Sequence, residues 1–190
     1  MDDRELYLLA VKARERSYSP YSRFRVGAAL LAMDGGVYLG ANIENASYGA
    51  ANCAERTAFF KAVNEGVRGF EAIAIAGGPE DKDALEFCPP CGICRQVMRE
   101  FCVPEHFRII LGNSKGEIRS RTLAELLPDS FGPEDKDALE FCPPCGICRQ
   151  VMREFCVPEH FRIILGNSKG EIKSRTLAEL LPDSFGPEDL

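Results

Sequence analysis

The sequence has no excess of positive charge. Lys and Arg total 23 against 29 Asp and Glu, a formal net charge of −6. Nucleic acid is therefore not expected as a partner, because phosphate binding needs a basic face. The chain also lacks any apolar run of about 18 residues, the length a spanning helix requires, so no membrane partner is expected. Its first residues, Met1-Asp2-Asp3-Arg4-Glu5, are charged and acidic, unlike a signal or transit peptide. Histidine is scarce: only His106 and His160 occur, both ahead of strand-like segments and read as surface or packing residues. Sulfur is plentiful by contrast, with nine cysteines. Without a secretory signal, that number suggests a reducing compartment and metal chemistry rather than a disulfide framework. The expected location is the cytoplasm. The 190 residues are enough for one domain with a sizeable core.

Taken in order, the chain alternates helical and strand patterns. Asp3 to Arg16 predicts an amphipathic helix with acidic residues in its first turn. Ser17 to Ser22 breaks the period as a loop. Phe24 to Met33 and Val37 to Ile43 predict a hairpin turned at Asp34-Gly35-Gly36. Glu44 to Asn52 is small and polar and suits a loop lining a pocket. A helix is predicted from about Cys53 to Glu65, closed by Gly66, then a strand over Phe70 to Ala76. After a charged connection ending in Pro89-Pro90, Cys91 to Phe101 predicts another helix. Strands over Phe107 to Leu111 and Glu117 to Arg121 follow, and Thr122 caps a short last helix through Leu127.

Two stretches carry chemistry. In Asn52-Cys53-Ala54-Glu55-Arg56 a thiol that can hold Zn²⁺ is followed by a carboxylate placed to move protons on a metal-bound water. Pro90-Cys91-Gly92-Ile93-Cys94 supplies two more thiols at zinc spacing. Both cysteine stretches fall at predicted helix starts, where the positive end of the dipole favours the thiolate a metal needs. Three protein ligands leave a fourth position open, as catalytic zinc requires. Three thiolates leave the site with a net charge of −1, and Arg56 could offset this by donating to a thiolate. A cysteine-plus-glutamate segment followed by Pro-Cys-x-x-Cys is the signature of the zinc-dependent nucleoside and nucleobase deaminases, with Cys in place of the commoner His.

The order and spacing narrow this further. Phe24-Arg25-Val26-Gly27-Ala28-Ala29, Asn42-Ile43-Glu44-Asn45-Ala46 and Cys53-Ala54-Glu55-Arg56-Thr57-Ala58 precede Pro90-Cys91-Gly92-Ile93-Cys94-Arg95-Gln96. Together they closely resemble the small homotetrameric cytidine deaminases of nucleoside salvage, over Met1 to about Gly132. The ending Ser184 to Leu190 is also similar to that family's C-terminus. The resemblance implies an α/β class, three-layer α/β/α fold with a mixed five-stranded sheet. It implies one Zn²⁺ per chain on Cys53, Cys91 and Cys94, with Glu55 as proton shuttle and Arg56 behind the ligands. It implies substrate contacts from Phe24 beside the pyrimidine, Asn42 and Glu44 on the ribose hydroxyls, and Ala54. Tyr48 and a C-terminal Phe, Phe131 or Phe185, match residues that reach a neighbouring subunit's pocket. The implied activity is hydrolytic deamination of cytidine and deoxycytidine to uridine and deoxyuridine with release of ammonia. The implied partners are a nucleoside and other copies of the chain in a homotetramer.

Rival readings remain at this level. One is a deaminase of another cytosine nucleoside, such as an antibiotic. Another is a zinc-stabilised binding module without turnover. A thioredoxin-like redox pair would follow the first strand of a βαβ unit, whereas Cys91-x-x-Cys94 follows a hairpin, a helix and a third strand. Cys88 extends the run to Cys-x-x-Cys-x-x-Cys and is read as a bystander.

The departure from the family is a repeat. Gly78 to Phe131 recurs as Gly132 to Phe185, an offset of 54 residues, with Arg119 against Lys173 as the only difference. The expected organisation is a deaminase domain over 1–132, a duplicate of 79–132 over 133–186, and a short end over 187–190. The second copy carries Cys142, Cys145 and Cys148 but no Cys-Ala-Glu of its own. Short connections favour the first copy, so Cys91 and Cys94 are expected to complete the zinc site. Copy two is too apolar for an ordinary disordered tail and too small to bury that surface alone.

Overall fold

The computed structural model describes residues 1–81, 86–133, 141–167 and 169–187. They gather into two compact units, one of Met1–Pro89 with His106–Arg121, the other of Pro90–Glu105 with Thr122–Leu190. The starts of both repeat copies fall partly on 82–85 and 134–140, and the chain's end on 188–190, outside the described residues.

In the first unit, helix α1 (Asp3–Arg14) begins in a capping box: Asp2 accepts from the Glu5 N–H and the Glu5 side chain accepts from the Asp2 N–H. Strands β1 (Phe24–Ala32) and β2 (Val37–Ala41) form the expected hairpin, with Gly35 at φ +88° in its turn. A 3₁₀ turn (Tyr48–Ala50) leads to helix α2 (Ala54–Asn64), which ends before Gly66 at φ +94°. Strand β3 (Phe70–Pro79) is longer than its apolar run. Gly77, Gly78 and Pro79 pair antiparallel with Val26, Arg25 and Phe24, so the β1 ladder carries the strand past residues that ordinarily end one. Strands β4 (Arg108–Gly112) and β5 (Ile118–Thr122) complete a five-stranded sheet in the order β2-β1-β3-β4-β5. The sheet is mixed, since β1 runs antiparallel to β2 and β3 while β3 and β4 are parallel.

The pleat divides the core between two faces. Leu6, Tyr7 and Ala10 of α1 pack with Ala29, Leu31, Ala72, Ala74, Ala76 and Ile110. The alternate residues Leu30, Ile73, Ile75 and Ile109 are fully buried on the other face. Two glycines set how closely the helices approach. A Cβ on Gly27 would lie 2.1 Å from the Ala10 carbonyl oxygen of α1, and one on Gly40 would lie 2.2 Å from that of Ala54 in α2. Gly40 stands opposite Ala28 in the ladder, one position on from Gly27, so α1 and α2 cover opposite faces. Phe59 of α2 stacks edge-on against Phe70 at 5.0 Å and tilts against Phe107 at 6.0 Å.

The second unit holds helix α3 (Gly92–Phe101) and helix α4 (Leu123–Leu126) of the first copy. With them lie α5 (Gly146–Phe155), β6 (Arg162–Gly166), β7 (Ile172–Thr176) and α6 (Leu177–Leu180) of the second. The copies are locally alike: Thr122 with Glu125 and Thr176 with Glu179 form the same capping box. Strands β6 and β7 make a separate two-stranded sheet.

Gly40→Ala forces α2 outward, because the new methyl meets backbone rather than a side chain that could turn away. The expected loss is about 1–3 kcal/mol, read as a lower urea midpoint at unchanged m-value.

Candidate metal and nucleoside site

The approach to the site is built by backbone pairing around Asn42. Its Oδ1 accepts from the Val26 N–H at 2.8 Å and its Nδ2 donates to the Phe24 carbonyl at 2.9 Å. The Ser17 hydroxyl also donates to Oδ1. Next in sequence, Ile43 and Asn52 exchange both backbone bonds at 2.9 Å. Asn52 then donates through Nδ2 to the Thr57 hydroxyl at 3.1 Å, in the first turn of α2. A continuous hydrogen-bonded path thus runs from Phe24 through Asn42 to Cys53. Sequence reasoning missed Asn52, and its only signal was an Asn directly ahead of a helix start.

Glu44 sits beside this path, with Oε2 accepting from the Tyr21 and Ser22 N–H groups at 2.9 and 3.3 Å. Burial raises its pKa, but hydrogen bonds from Ser22 and Tyr21 outweigh that and hold it below the usual carboxylate range. It is therefore ionised at neutral pH. Phe24 is half-buried, and its ring lies over Gly77, where a Cβ would come within 3.2 Å of it. Ala54 is fully buried. Tyr48, in the 3₁₀ turn, is 80 % exposed. Phe131 is half-buried and its carbonyl accepts from Gln96 Nε2 at 3.2 Å. His106 and His160 are both exposed.

Cys53 is the N-cap of α2 and Cys91 the N-cap of α3, each in extended backbone; Cys94 lies one turn into α3 and is buried. The sulfurs of Cys53, Cys91 and Cys94 all lie within 4.8 Å of one another, and no other such group occurs among the described residues. Cys91 and Cys94 Sγ are 3.6 Å apart. Sulfurs sharing a tetrahedral zinc at bond lengths of about 2.3 Å would be separated by about 3.8 Å, so the donor set and its spacing fit that ion. These three residues could hold a metal. Arg56 Nη2 donates to Cys53 Sγ at 3.5 Å and to the Ala51 carbonyl at 3.3 Å, which places a positive charge against one thiol. Glu55 follows in the first turn of α2 and is 5 % exposed. Cys88 packs over Gly77 instead, its sulfur 2.6 Å from where a Cβ would stand.

Residues 1–109 match the family model for the zinc-binding region of cytidine and deoxycytidylate deaminases. The chain belongs to the cytidine deaminase family. The matched stretch contains Cys53, Glu55, Cys91 and Cys94 and stops before the second copy. Over 135 residues the chain is 55 % identical to the cytidine deaminase of Halalkalibacterium halodurans, covering 71 % of this chain and 98 % of that one. It is 52 % identical over 135 residues to the cytidine deaminase of Sporosarcina psychrophila, covering 71 % and 95 %. The crystal structure of cytidine deaminase from Burkholderia pseudomallei superposes with a TM-score of 0.63 at 47 % identity, covering 69 % of this chain and 100 % of that one. The remainder in each comparison is roughly one repeat unit long. Zinc is thus the family's metal, and the thiol cluster is suited to it. No helix among the described residues is long and apolar enough to cross a membrane.

The two copies can be told apart by their metal. Replacing Cys91 and Cys94 together by Ser is expected to abolish bound zinc. Replacing Cys145 and Cys148 together is expected to leave the metal content of the purified protein at one ion per chain. Elemental analysis of both variants measures this.

Proposed function

We propose that the chain catalyses zinc-dependent hydrolytic deamination of cytidine and deoxycytidine to uridine and deoxyuridine in nucleoside salvage. The observation that carries this is the convergence of three thiols at two helix starts, with a buried carboxylate two residues after the first of them. Cys53, Cys91 and Cys94 would hold one Zn²⁺ per chain. Bound there, zinc would supply Lewis acidity that lowers the pKa of a water molecule. Glu55 is placed to take one proton from the attacking water and deliver it to N3 of the ring, and then to carry the second water proton to the departing amine. Arg56 positions the Cys53 thiolate and offsets part of its charge.

The nucleoside is held by the rim around Asn42. Asn42 spends Oδ1 and one amide N–H on the backbone, and its second N–H is left to donate to a ribose hydroxyl. Glu44 is fixed through Oε2, and Oε1 accepts from the neighbouring hydroxyl. Phe24 and Ala54 line the pyrimidine. Tyr48 and Phe131 act at a neighbouring chain's pocket in a homo-oligomer, the tetramer being the single-copy family pattern from which the duplicate departs. Residues 1–132 form the catalytic domain and 133–186 its duplicate part. A cytoplasmic location fits a chain whose nine cysteines are read as serving metal chemistry.

Glu55→Gln is expected to keep stoichiometric zinc and lose about 10²–10⁴-fold in kcat. The assay is ultraviolet loss of cytidine absorbance with uridine identified as product. Unchanged turnover would remove Glu55 from the mechanism, and no turnover by the parent chain would leave a binding module.

A further inference from the structure

Helices α3 and α5 meet through contacts that repeat in exchanged order. The Gly92 N–H donates to Gln150 Oε1 at 2.8 Å, and the Gly146 N–H donates to Gln96 Oε1 at 2.9 Å. Arg95 donates through Nη1 to the Pro182 carbonyl and through Nη2 to the Asp183 carbonyl, both at 2.7 Å. Arg149 donates in the same way to the Pro128 and Asp129 carbonyls at 2.6 and 2.9 Å. A Cβ on Gly92 would lie 2.2 Å from the Gly146 carbonyl oxygen, and one on Gly146 would lie 2.2 Å from that of Gly92. Each residue of one copy therefore touches the counterpart of its own partner in the other. That relation defines an isologous contact, the kind a two-fold axis creates between two identical subunits.

We propose that copy two occupies, within a single chain, the seat that a second chain would otherwise take against α3. The face around Gly92, Arg95 and Gln96 is thus a self-complementary interaction surface, and its partner is another copy of the same segment. The buried arginines show why the seat must be filled. Arg95 and Arg149 are both 0 % exposed. Arg95 finds Pro90 and Leu126 carbonyls in its own copy, but its other two acceptors, Pro182 and Asp183, belong to the second. Without copy two, a guanidinium shaped to donate in five directions loses half of these acceptors. The acceptor loops are committed as well: Asp129 and Asp183 sit at φ +48° and +47°, a left-handed strain that persists only where surroundings enforce it.

Burial separates this contact from the rest of the repeat. Leu123 and Leu177 are both 0 % exposed, and Leu126 and Leu180 both 1 %, so the paired segments are enclosed equally in the two copies. Ile110 and Ile164, outside the pairing, are 0 % and 64 % exposed. The symmetry belongs to α3, α5 and the loops that meet them. Tethering favours closure within the chain, because covalent linkage converts the second contact into an intramolecular one with a raised effective concentration.

The test compares the full chain with a variant lacking residues 132–185, by light scattering at equal molar concentration. The single-copy variant is expected to contain twice as many chains per particle, since its α3 face must recruit another chain. Equal numbers would overturn the proposal. Should the deletion fail to fold, the full chain is probed with Gln150→p-benzoylphenylalanine, whose Cβ faces Gly92. Irradiation is expected to link position 150 to the 91–99 segment within one chain, leaving a denatured mass of 21.0 kDa. A band of doubled mass, or no link to that segment, would overturn it. The outcome does not depend on catalysis, so it stands or falls separately from the deaminase reading.

Discussion

Three thiols within reach of one ion are the constraint around which this chain is arranged. Thiolates packed that closely repel one another. Such a cluster is stable only if positive charge is brought to it. The fold does this partly with its own backbone: Cys53 and Cys91 cap α2 and α3, where unpaired N–H groups and the helix dipole favour anions. Arg56, one turn into α2, adds a full charge against Cys53. A divalent cation supplies the remainder. The cysteines are therefore placed less by packing than by the need to start a helix at each of them.

Starting α2 at the right place is in turn a problem of the sheet. The helix lies so close to β2 that only a glycine fits beneath Ala54, and the loop before it is tied down by the Ile43–Asn52 pair. Asn42 then links that pair to β1 through Phe24 and Val26. The side chain assigned to the ribose thus also clamps two strand ends. One rim carries both the amide proposed to hold the nucleoside's sugar and the entry to α2. The two tasks use different atoms of the same amide.

Much of this was legible in the sequence. Helix and strand limits were clear wherever a period met a punctuating residue, as at Gly35, Gly66 and Thr122. The thiol cluster that could hold a metal was legible because Cys-Ala-Glu and Pro-Cys-x-x-Cys have a spacing that chemistry restricts. What the letters hid was tertiary. The Gly77-Gly78-Pro79 end of β3 reads as a breaker, yet it continues the sheet because β1 supplies the ladder. The parallel β3–β4 pairing depends on a crossover that no local pattern encodes. The clamping role of Asn42 required knowing that Phe24 and Val26 lie across from it. Gly27 and Gly40 looked like ordinary strand residues until a helix was seen on each.

The repeat shows where local information stops. Two segments that differ at one position adopt the same helices and the same capping boxes, so secondary structure follows from the letters alone. Their environments nevertheless diverge: Phe107 is 1 % exposed and Phe161 37 %, Cys94 is buried and Cys148 exposed. Copy one adds β4 to β3, while β6 pairs only with β7 and keeps an open edge among the described residues. Cys145 and Cys148 lie 3.5 Å apart, as close as the pair in copy one, yet spacing alone does not make a catalytic centre. The third thiol and the carboxylate occur once, in Cys53-Ala54-Glu55. The number of working sites is set by that single stretch, and duplicating the Cys-x-x-Cys segment adds surface and thiols without adding a second place for the chemistry.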